Sequence, residues 1–485
     1  MATPTNGAYA ASISGSKKLE EVSSLMEQLR LDLKDSHMLL HQRNTALEQI
    51  KIYGRNVQDA DPIYTPDGID TLARYGFFNS TAVTSREALR CLANALLLQP
   101  HTRQELVDLG FADKAAEKLK SDSPDDEFLA SRILFLLTYE TNLDFELLMK
   151  NNQLGETILQ SVARHSKRYS KGSRKPSAGT PLEDLALSET LKLVFNLTHF
   201  YPDFVDQFSK CVPDLLKILY RTKVPMPPLQ PPVNYLINAL LNLDLEDNKS
   251  KHFGSSPVFP KFDQKANAEH LIEILDKSII AYTETELDQV AAPLITLIRR
   301  IYEFAPESVK KYMQWLLLPT EDERSKPLGK SDTLSSRLLN LTTSAMAPTL
   351  RGSIGSMLFE LSSKDPSDFI HNVGYGFASG FLVSHNIEIP ANAMDAYSTH
   401  GMEEGQNNSA AFNPITGQRY DTEKPVDEGP PMTLEEKERE AERLFVLFER
   451  LKATGVVNVQ NPVEQALNSG RFEELSDSDS ETGKK

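Results

Sequence analysis

Asparagine recurs inside otherwise apolar helical stretches of this chain. Asn94 lies in Ala88-Leu-Arg-Cys-Leu-Ala-Asn-Ala-Leu96, and Asn196 in Ser188-Glu-Thr-Leu-Lys-Leu-Val-Phe-Asn-Leu-Thr198. Asn234, Asn238 and Asn242 lie in Val233-Asn-Tyr-Leu-Ile-Asn-Ala-Leu-Leu-Asn-Leu243. A primary amide both donates and accepts hydrogen bonds, so it can hold peptide groups without requiring a particular sequence. An amide left buried and unpaired costs about 1 to 3 kcal/mol, so a core does not need a repeated asparagine, whereas a peptide-binding surface can use one. Lys51 and Arg55 form a basic pair about one turn apart at the end of the helical stretch Leu47–Arg55, placed like the polar pairs of the later helices. The same pair reads equally well as a solvated helix end.

Covalent chemistry finds no support in the sequence. Gly329-Lys330-Ser331 resembles the end of a phosphate-binding loop, but that motif needs a glycine five residues before Gly329 and Arg324 stands there. Gly374-Tyr-Gly-Phe-Ala-Ser-Gly380 has one residue too many before its last glycine and no strand before it to form a dinucleotide fingerprint. The 10 histidines include no HExxH and have no cysteine partners, so no metal site is expected. Glu321, Asp322 and Glu323 read as part of a solvated loop. No nucleophile, cofactor or metal ligand is nominated.

These residues must be positioned by helices. Leu191, Val194, Phe195 and Thr198 fall at i, i+3, i+4 and i+7, the buried stripe of an amphipathic helix, while Lys192 and Asn196 sit on another face. A looser copy is Leu294–Tyr302. Helical units follow from Ser85 to Leu119, punctuated by Gly110, and from Phe128 to Val162. Units of helices at roughly 40 to 47 residues mark armadillo and HEAT arrays. Strand-like alternation is scarce and 40% of the 485 residues are hydrophobic, so one long all-α, armadillo/HEAT-like solenoid is expected. The net charge of -16 argues against nucleic acid and for protein partners with basic surfaces. Cys91 and Cys211 are too few for a disulfide framework and suggest a reducing compartment. No stretch approaches 18 uncharged apolar residues, so no integral membrane segment is expected.

The expected organisation is a disordered N-terminus over 1–17, a solenoid over 18–390, a flexible linker over 391–431, an amphipathic helix over 432–455 and an acidic disordered tail over 456–485. The helix has a capping-box start at Thr433-Leu-Glu-Glu436 and an apolar stripe from Leu444 to Leu451, which must bury against the solenoid or a partner. Three polar insertions interrupt the solenoid: a basic one over 165–180, a proline-rich one over 224–232 and a third over 243–265. The first reads as a solvated loop and the second as a rigid connector.

Several stretches together resemble the synembryn family: Leu191-Lys-Leu-Val-Phe-Asn-Leu-Thr198, Leu317-Leu-Pro319 with the charged Glu321–Arg324, Val373-Gly-Tyr-Gly376, Asn413-Pro-Ile-Thr-Gly417, and Glu435-Glu-Lys-Glu-Arg-Glu-Ala through Leu451. The resemblance spans about residues 30 to 455. It implies a guanine nucleotide exchange factor and folding chaperone for heterotrimeric G-protein alpha subunits, nucleotide-free or GDP-bound. The concave groove would take the subunit's C-terminal helix, and GDP would leave without covalent chemistry. The groove positions it implies are Lys51, Arg55 and Asn94, with Asn196, Asn234 and Asn238 continuing the line. A helix C-terminus carries partial negative charge and a chain-end carboxylate, which Lys51 and Arg55 can meet by charge-assisted hydrogen bonds. A monomer in the cytoplasm, recruited to the membrane by its partner, is the matching expectation. Some family members are phosphorylated just before the Asn-Pro motif, but Tyr397–Glu404 has no serine or threonine with an acid three residues on. Ser476 and Ser478, which do have that spacing, are the substitute candidates. The competing reading is a passive armadillo-type adaptor, which would bind a peptide and leave its partner's nucleotide alone.

Overall fold

The computed structural model describes residues 14–78, 81–169, 180–246 and 256–389, with 413, 415–419 and the isolated positions 422, 439, 443 and 446 beyond them. The chain divides into two compact units, Met1–Asp421 and Thr422–Lys485. The first unit carries the architecture. Most of the expected amphipathic helix, and the tail with Ser476 and Ser478, lie outside the described residues.

Among the described residues every regular element is a helix, and the one bridge is isolated at Arg419. In order they are α1 (Ser16–Asp35), α2 (Leu40–Tyr53), α3 (Pro66–Phe78), α4 (Ala82–Leu98), α5 (His101–Asp108), α6 (Ala112–Leu119) and α7 (Pro124–Leu137). There follow α8 (Phe145–Asn151), α9 (Leu154–Lys167), α10 (Pro181–Phe200), α11 (Val205–Phe208), α12 (Val212–Arg221) and α13 (Val233–Asn242). The last group is α14 (Ala266–Ala281), α15 (Glu284–Val290), α16 (Ala292–Phe304), α17 (Glu307–Leu317), α18 (Leu334–Leu341), α19 (Pro348–Leu361), α20 (Pro366–Val373) and α21 (Tyr375–Ser384).

Local chemistry sets the ends of these helices. Helix α10 starts at a capping box, in which Thr180 caps the Glu183 amide while Glu183 reaches back to the Thr180 amide, and Pro181 occupies the first helical turn. Gly110 separates α5 from α6 at φ +76, a left-handed backbone that glycine adopts without steric cost.

The helices pack as two parallel series. In the first ladder α2 packs on α4, then α4 on α7, α7 on α10, α10 on α13, α13 on α16 and α16 on α19. In the second, α3, α6, α9, α12, α14 and α17 follow one another, each also touching its neighbour in the first ladder or linked to it through a short helix. One continuous core runs between the ladders, in which Leu187, Leu191, Val194 and Leu197 of α10 are buried with Leu134 of α7 and Leu236 of α13. Burial of each such side chain stabilises by about 1.5 to 3 kcal/mol. The architecture is the expected all-α helical solenoid.

Two local expectations change. Phe195 is not part of the buried stripe of α10: it is only partly buried, on the face of Lys192, where its ring stacks on His199. Glu323 is not solvated either. It is buried, accepts hydrogen bonds from the Thr320 amide (2.8 Å) and from the hydroxyls of Thr320, Thr333 and Ser335, and is followed by the equally buried Arg324.

Arg324 fastens a turn that lies within the stretch expected to be a flexible linker. Its guanidinium donates to the carbonyls of Gly417 (3.2 Å), His371 (3.0 Å) and Asn372 (3.1 Å). The Leu328 amide donates to the Thr416 carbonyl (3.0 Å), and the Arg419 amide to the Arg324 carbonyl (2.7 Å). Asn413 closes the turn by accepting the Ile415 amide at 2.9 Å. Gly417 sits at φ +66, and a Cβ there would meet Leu328 Cδ1 at 2.3 Å, so the Asn-Pro-Ile-Thr-Gly motif needs its glycine for both backbone and space.

Candidate functional site

The exposed side of the first ladder gathers most of the residues singled out in the sequence. Lys51, in the last turn of α2, donates to Glu87 of α4 at 2.5 Å. Glu87 also pairs with Arg90, which reaches Asp125 of α7 at 2.8 Å. Glu87, Arg90 and Asn94 fall on successive turns of one stripe of α4. Arg86 adds a second tie to α7 through Asp126 (2.9 Å). Burial pushes the Asp126 carboxyl up, but hydrogen bonds from Arg86 and Ser121 and the nearby Lys118 outweigh it and hold Asp126 below the usual carboxylate range.

The next rungs are linked in the same manner. Arg132 of α7 donates to Glu189 of α10 at 3.0 Å, and Lys192 donates to the same Glu189 oxygen at 2.6 Å. The Lys192 ammonium stands 5.2 Å from the ring centre of Phe135 on α7 and 5.4 Å from that of Tyr235 on α13, cation–π distances that tie three helices together. Burial pushes the Tyr235 hydroxyl up, Glu189 adding to it, so the phenol remains a neutral donor. An aromatic belt continues from there: Tyr139 packs edge-on against Phe135 (5.4 Å) and Phe200 (6.0 Å), and His199 lies between Phe195 and Phe200.

The predicted residues divide by environment. Arg55, just past the end of α2, is exposed and forms no ion pair among the described residues. Asn94 and Asn238 are half-buried, and neither side chain makes a hydrogen bond among the described residues, so both amides face outward uncommitted. Asn234 is half-buried and accepts only the neighbouring Tyr235 amide at 2.9 Å. Asn196 is a correction. It is 4% exposed, donates to Thr138 Oγ1 at 2.7 Å and accepts from the Tyr139 hydroxyl at 3.4 Å, so its amide joins α10 to the end of α7 and is not presented to a ligand. Asn242 is likewise spent on the Phe195 carbonyl at 3.2 Å.

The face as a whole therefore offers a cationic end at Lys51 and Arg55, unpaired amides at Asn94 and Asn238, and an aromatic stretch centred on Lys192. Such a surface suits an amphipathic peptide that ends in negative charge. The belt escaped the sequence reading because its rings come from α7, α10 and α13. Tyr235 lies three residues before Asn238 on α13, and that spacing was the available signal. No group of three or more metal-ligating side chains occurs among the described residues.

Comparison with known proteins bears on what such a face does. The model of the family described as guanine nucleotide exchange factor synembryn matches residues 46–471. The chain belongs to the synembryn family. A synembryn-like chaperone of Schizosaccharomyces pombe is 25% identical over 410 residues, covering 80% of this chain and 76% of the relative. The chaperone Ric-8A of Bos taurus is 24% identical over 447 residues, covering 85% and 81%. That of Pongo abelii is 25% identical over 473 residues, covering 91% and 85%. The synembryn match spans both the ladder face and the turn held by Arg324.

Proposed function

We propose that this member of the synembryn family acts on G-protein alpha subunits as a non-covalent guanine nucleotide exchange factor and folding chaperone. The first-ladder face receives the subunit's C-terminal helix. The observation that carries the reading is the juxtaposition on one face of an unpaired cation, Arg55, the uncommitted amides of Asn94 and Asn238, and the aromatic belt around Lys192. The negative C-terminal end of the incoming helix meets Arg55 and Lys51. Its last backbone carbonyls, unsatisfied at the helix C-terminus, accept from the Asn94 amide. Its apolar side packs on Phe135, Phe195 and Tyr235. Asn234 contributes from the edge, and Asn196 acts from behind, by fixing Tyr139 and the end of α7.

Holding that helix away from the subunit's body removes a wall of the guanine pocket, so GDP leaves. Nucleotide-free alpha subunit remains bound until GTP restores the pocket. The same grip on an exposed apolar helix shields a folding intermediate, which is the chaperone half of the role. The protein works as a cytoplasmic monomer that its partner brings to the membrane. The test is GDP release from a purified alpha subunit with and without this protein. Acceleration supports the reading, and tight binding of the C-terminal peptide with no acceleration supports a passive adaptor instead.

A further inference from the structure

Past α13 the first ladder continues through α16 and α19, and two adjoining cavities open beside α19. The larger, about 470 Å³, is walled by Leu339, Leu358, Phe369, Phe377 and Phe381 from α18 to α21. The smaller, about 290 Å³, is walled by Thr296 and Arg299 of α16 and by Thr349, Ser353 and Ser356 of α19. Pro348, Gly352 and His385 line both, so an apolar chamber and a polar one share a wall. A Cβ on Gly352 would meet no atom within 4 Å, so α19 faces open space at that junction.

Arg299 is the group that the fold does not explain. It is half-buried, its Nε is buried without an acceptor, and its guanidinium forms no ion pair or hydrogen bond among the described residues. The adjacent Arg300, by contrast, is spent on the carbonyls of Leu241 and Leu243. Buried polar groups nearly always have partners, so a cation left this way in a cavity wall is a place for an acceptor that the chain does not supply. The hydroxyls of Thr349 and Ser356 are also uncommitted among the described residues, whereas those of Thr296 and Ser353 donate to the carbonyls of Ala292 (2.8 Å) and Thr349 (2.9 Å). Arg351 lines the larger cavity and donates only to the Ser344 carbonyl, at 3.3 Å. No carboxylate among the described residues lines either cavity. Of the acids around them, Asp288 accepts the Leu350 amide (2.6 Å), Glu284 accepts the Ser344 hydroxyl, and Glu360 pairs with Lys364 (3.0 Å). Glu303, one turn beyond Arg299 on α16, is exposed and forms no ion pair with it.

We propose that the joined cavities bind a small phosphate monoester, its phosphoryl group on Arg299 and its apolar or aromatic group among Phe369, Phe377 and Phe381. A guanidinium presents a planar fork of N–H donors that matches two phosphate oxygens at once, and the Thr349 and Ser356 hydroxyls supply donors for the third. A carboxylate, with two oxygens, would leave part of this donor set unused. An apolar chamber with a few convergent polar groups is the usual build of a small-ligand site. The net charge of -16 gives the chain no general attraction to anions, and screening confines charge effects to about 8 to 10 Å at physiological salt, so the local donors decide the contact. The site lies beyond the α2 to α13 stretch assigned to the partner's helix, and it does not depend on the identity of that partner.

The full chain is titrated by calorimetry with phenyl phosphate, inorganic phosphate, phenylacetate and phenol. Phenyl phosphate should bind about tenfold or more tighter than each of the others, since it alone buries a ring in one chamber and a phosphoryl group in the other. Arg299→Gln should weaken phenyl phosphate by about tenfold or more, the loss of a charge-assisted contact, without lowering the thermal melt, because no partner is stranded. Gly352→Leu has open space for its first atoms and improves helix propensity, so the melt should hold or rise while phenyl phosphate binding is lost. Phenyl phosphate bound no tighter than inorganic phosphate or phenol, or bound equally by the parent chain and either variant, would overturn the assignment. So would a phosphotyrosine peptide that binds more tightly than phenyl phosphate, which would give the site to a modified protein.

Discussion

Asp32 and Glu127 are buried carboxylates of the solenoid with several partners each. Asp32 accepts from Arg43, from the Tyr75 hydroxyl (2.6 Å) and from the Met38 amide (2.6 Å), joining α1, α2 and α3. Glu127 accepts from Thr190 (2.9 Å) and Arg164 (2.9 Å) and lies 2.9 Å from His165 Nε2. Burial pushes both carboxyls up. For Asp32 the hydrogen bonds from Arg43 and Tyr75 prevail, and for Glu127 those from His165 and Arg164, so both are held below their ordinary values of 3.8 and 4.5. A depressed folded-state value means stability that is complete above the unfolded value and lost as pH falls through the folded one. The thermal midpoint should therefore hold near neutrality and drop once pH passes below 4.5 and then 3.8, a titration readable by circular dichroism. Asp32→Ala should cost about 3 to 5 kcal/mol at neutral pH and flatten part of that acid limb, because it strands Arg43 and Tyr75 without a partner. Urea unfolding of both chains measures it. At this scale the sequence showed which residue types mattered but not their partners. Asn196 is occupied by Thr138, 58 positions away, and Glu323 by Thr333 and Ser335 on a later helix. Helical periodicity reports a residue's own face and is blind to what the next helix places there.

At the scale of elements, the apolar stripes and glycine stops made the solenoid legible: the break at Gly110 and the helix around Asn196 fall where spacing puts them. Phe195 was misplaced because i+4 spacing borders the buried stripe, and an aromatic ring there can turn to either side. The turn Asn413–Arg419 was not legible, since a short polar segment reads as linker unless its donor, Arg324, which also donates to the end of α20, is known. Gly417→Ala should detach it, combining a left-handed backbone with a clash against Leu328. Hydrogen exchange at Leu328 and Arg419 should accelerate while the helices of the first ladder keep their protection. Gly68 offers a harsher case: a Cβ would meet the Pro62 carbonyl oxygen at 2.3 Å and that of Ile63 at 2.7 Å, where the chain enters α3. Gly68→Ala should lower the thermal midpoint through displacement of the 61–64 turn from α3, observable as a loss of tyrosine near-ultraviolet dichroism from Tyr64.

For the whole molecule, the first ladder makes the reading of function testable because its face is continuous from α2 to α13. Ion pairs cross from rung to rung: Lys51 to Glu87, Arg90 to Asp125, Arg132 to Glu189. These pairs are largely buried, Glu189 fully so, and their effect is to hold adjacent helices in register beneath the groove, since removing one partner leaves the other charge uncompensated. Lys51 is therefore partly structural, whereas Arg55 has no ion-pair partner among the described residues to lose. The direct measurement is made on Arg55→Glu, with Lys51→Gln added in a second variant. It combines a thermal melt, the affinity of a peptide spanning the last helix of the partner, and GDP release from the intact partner. The melt of Arg55→Glu should move by less than about 0.5 kcal/mol, as for an exposed site. Peptide affinity should fall by about 2 to 5 kcal/mol as a charge-assisted contact to the chain end is lost, and GDP release should fall with it. Unchanged peptide affinity, or lost affinity with undiminished GDP release, would contradict the account.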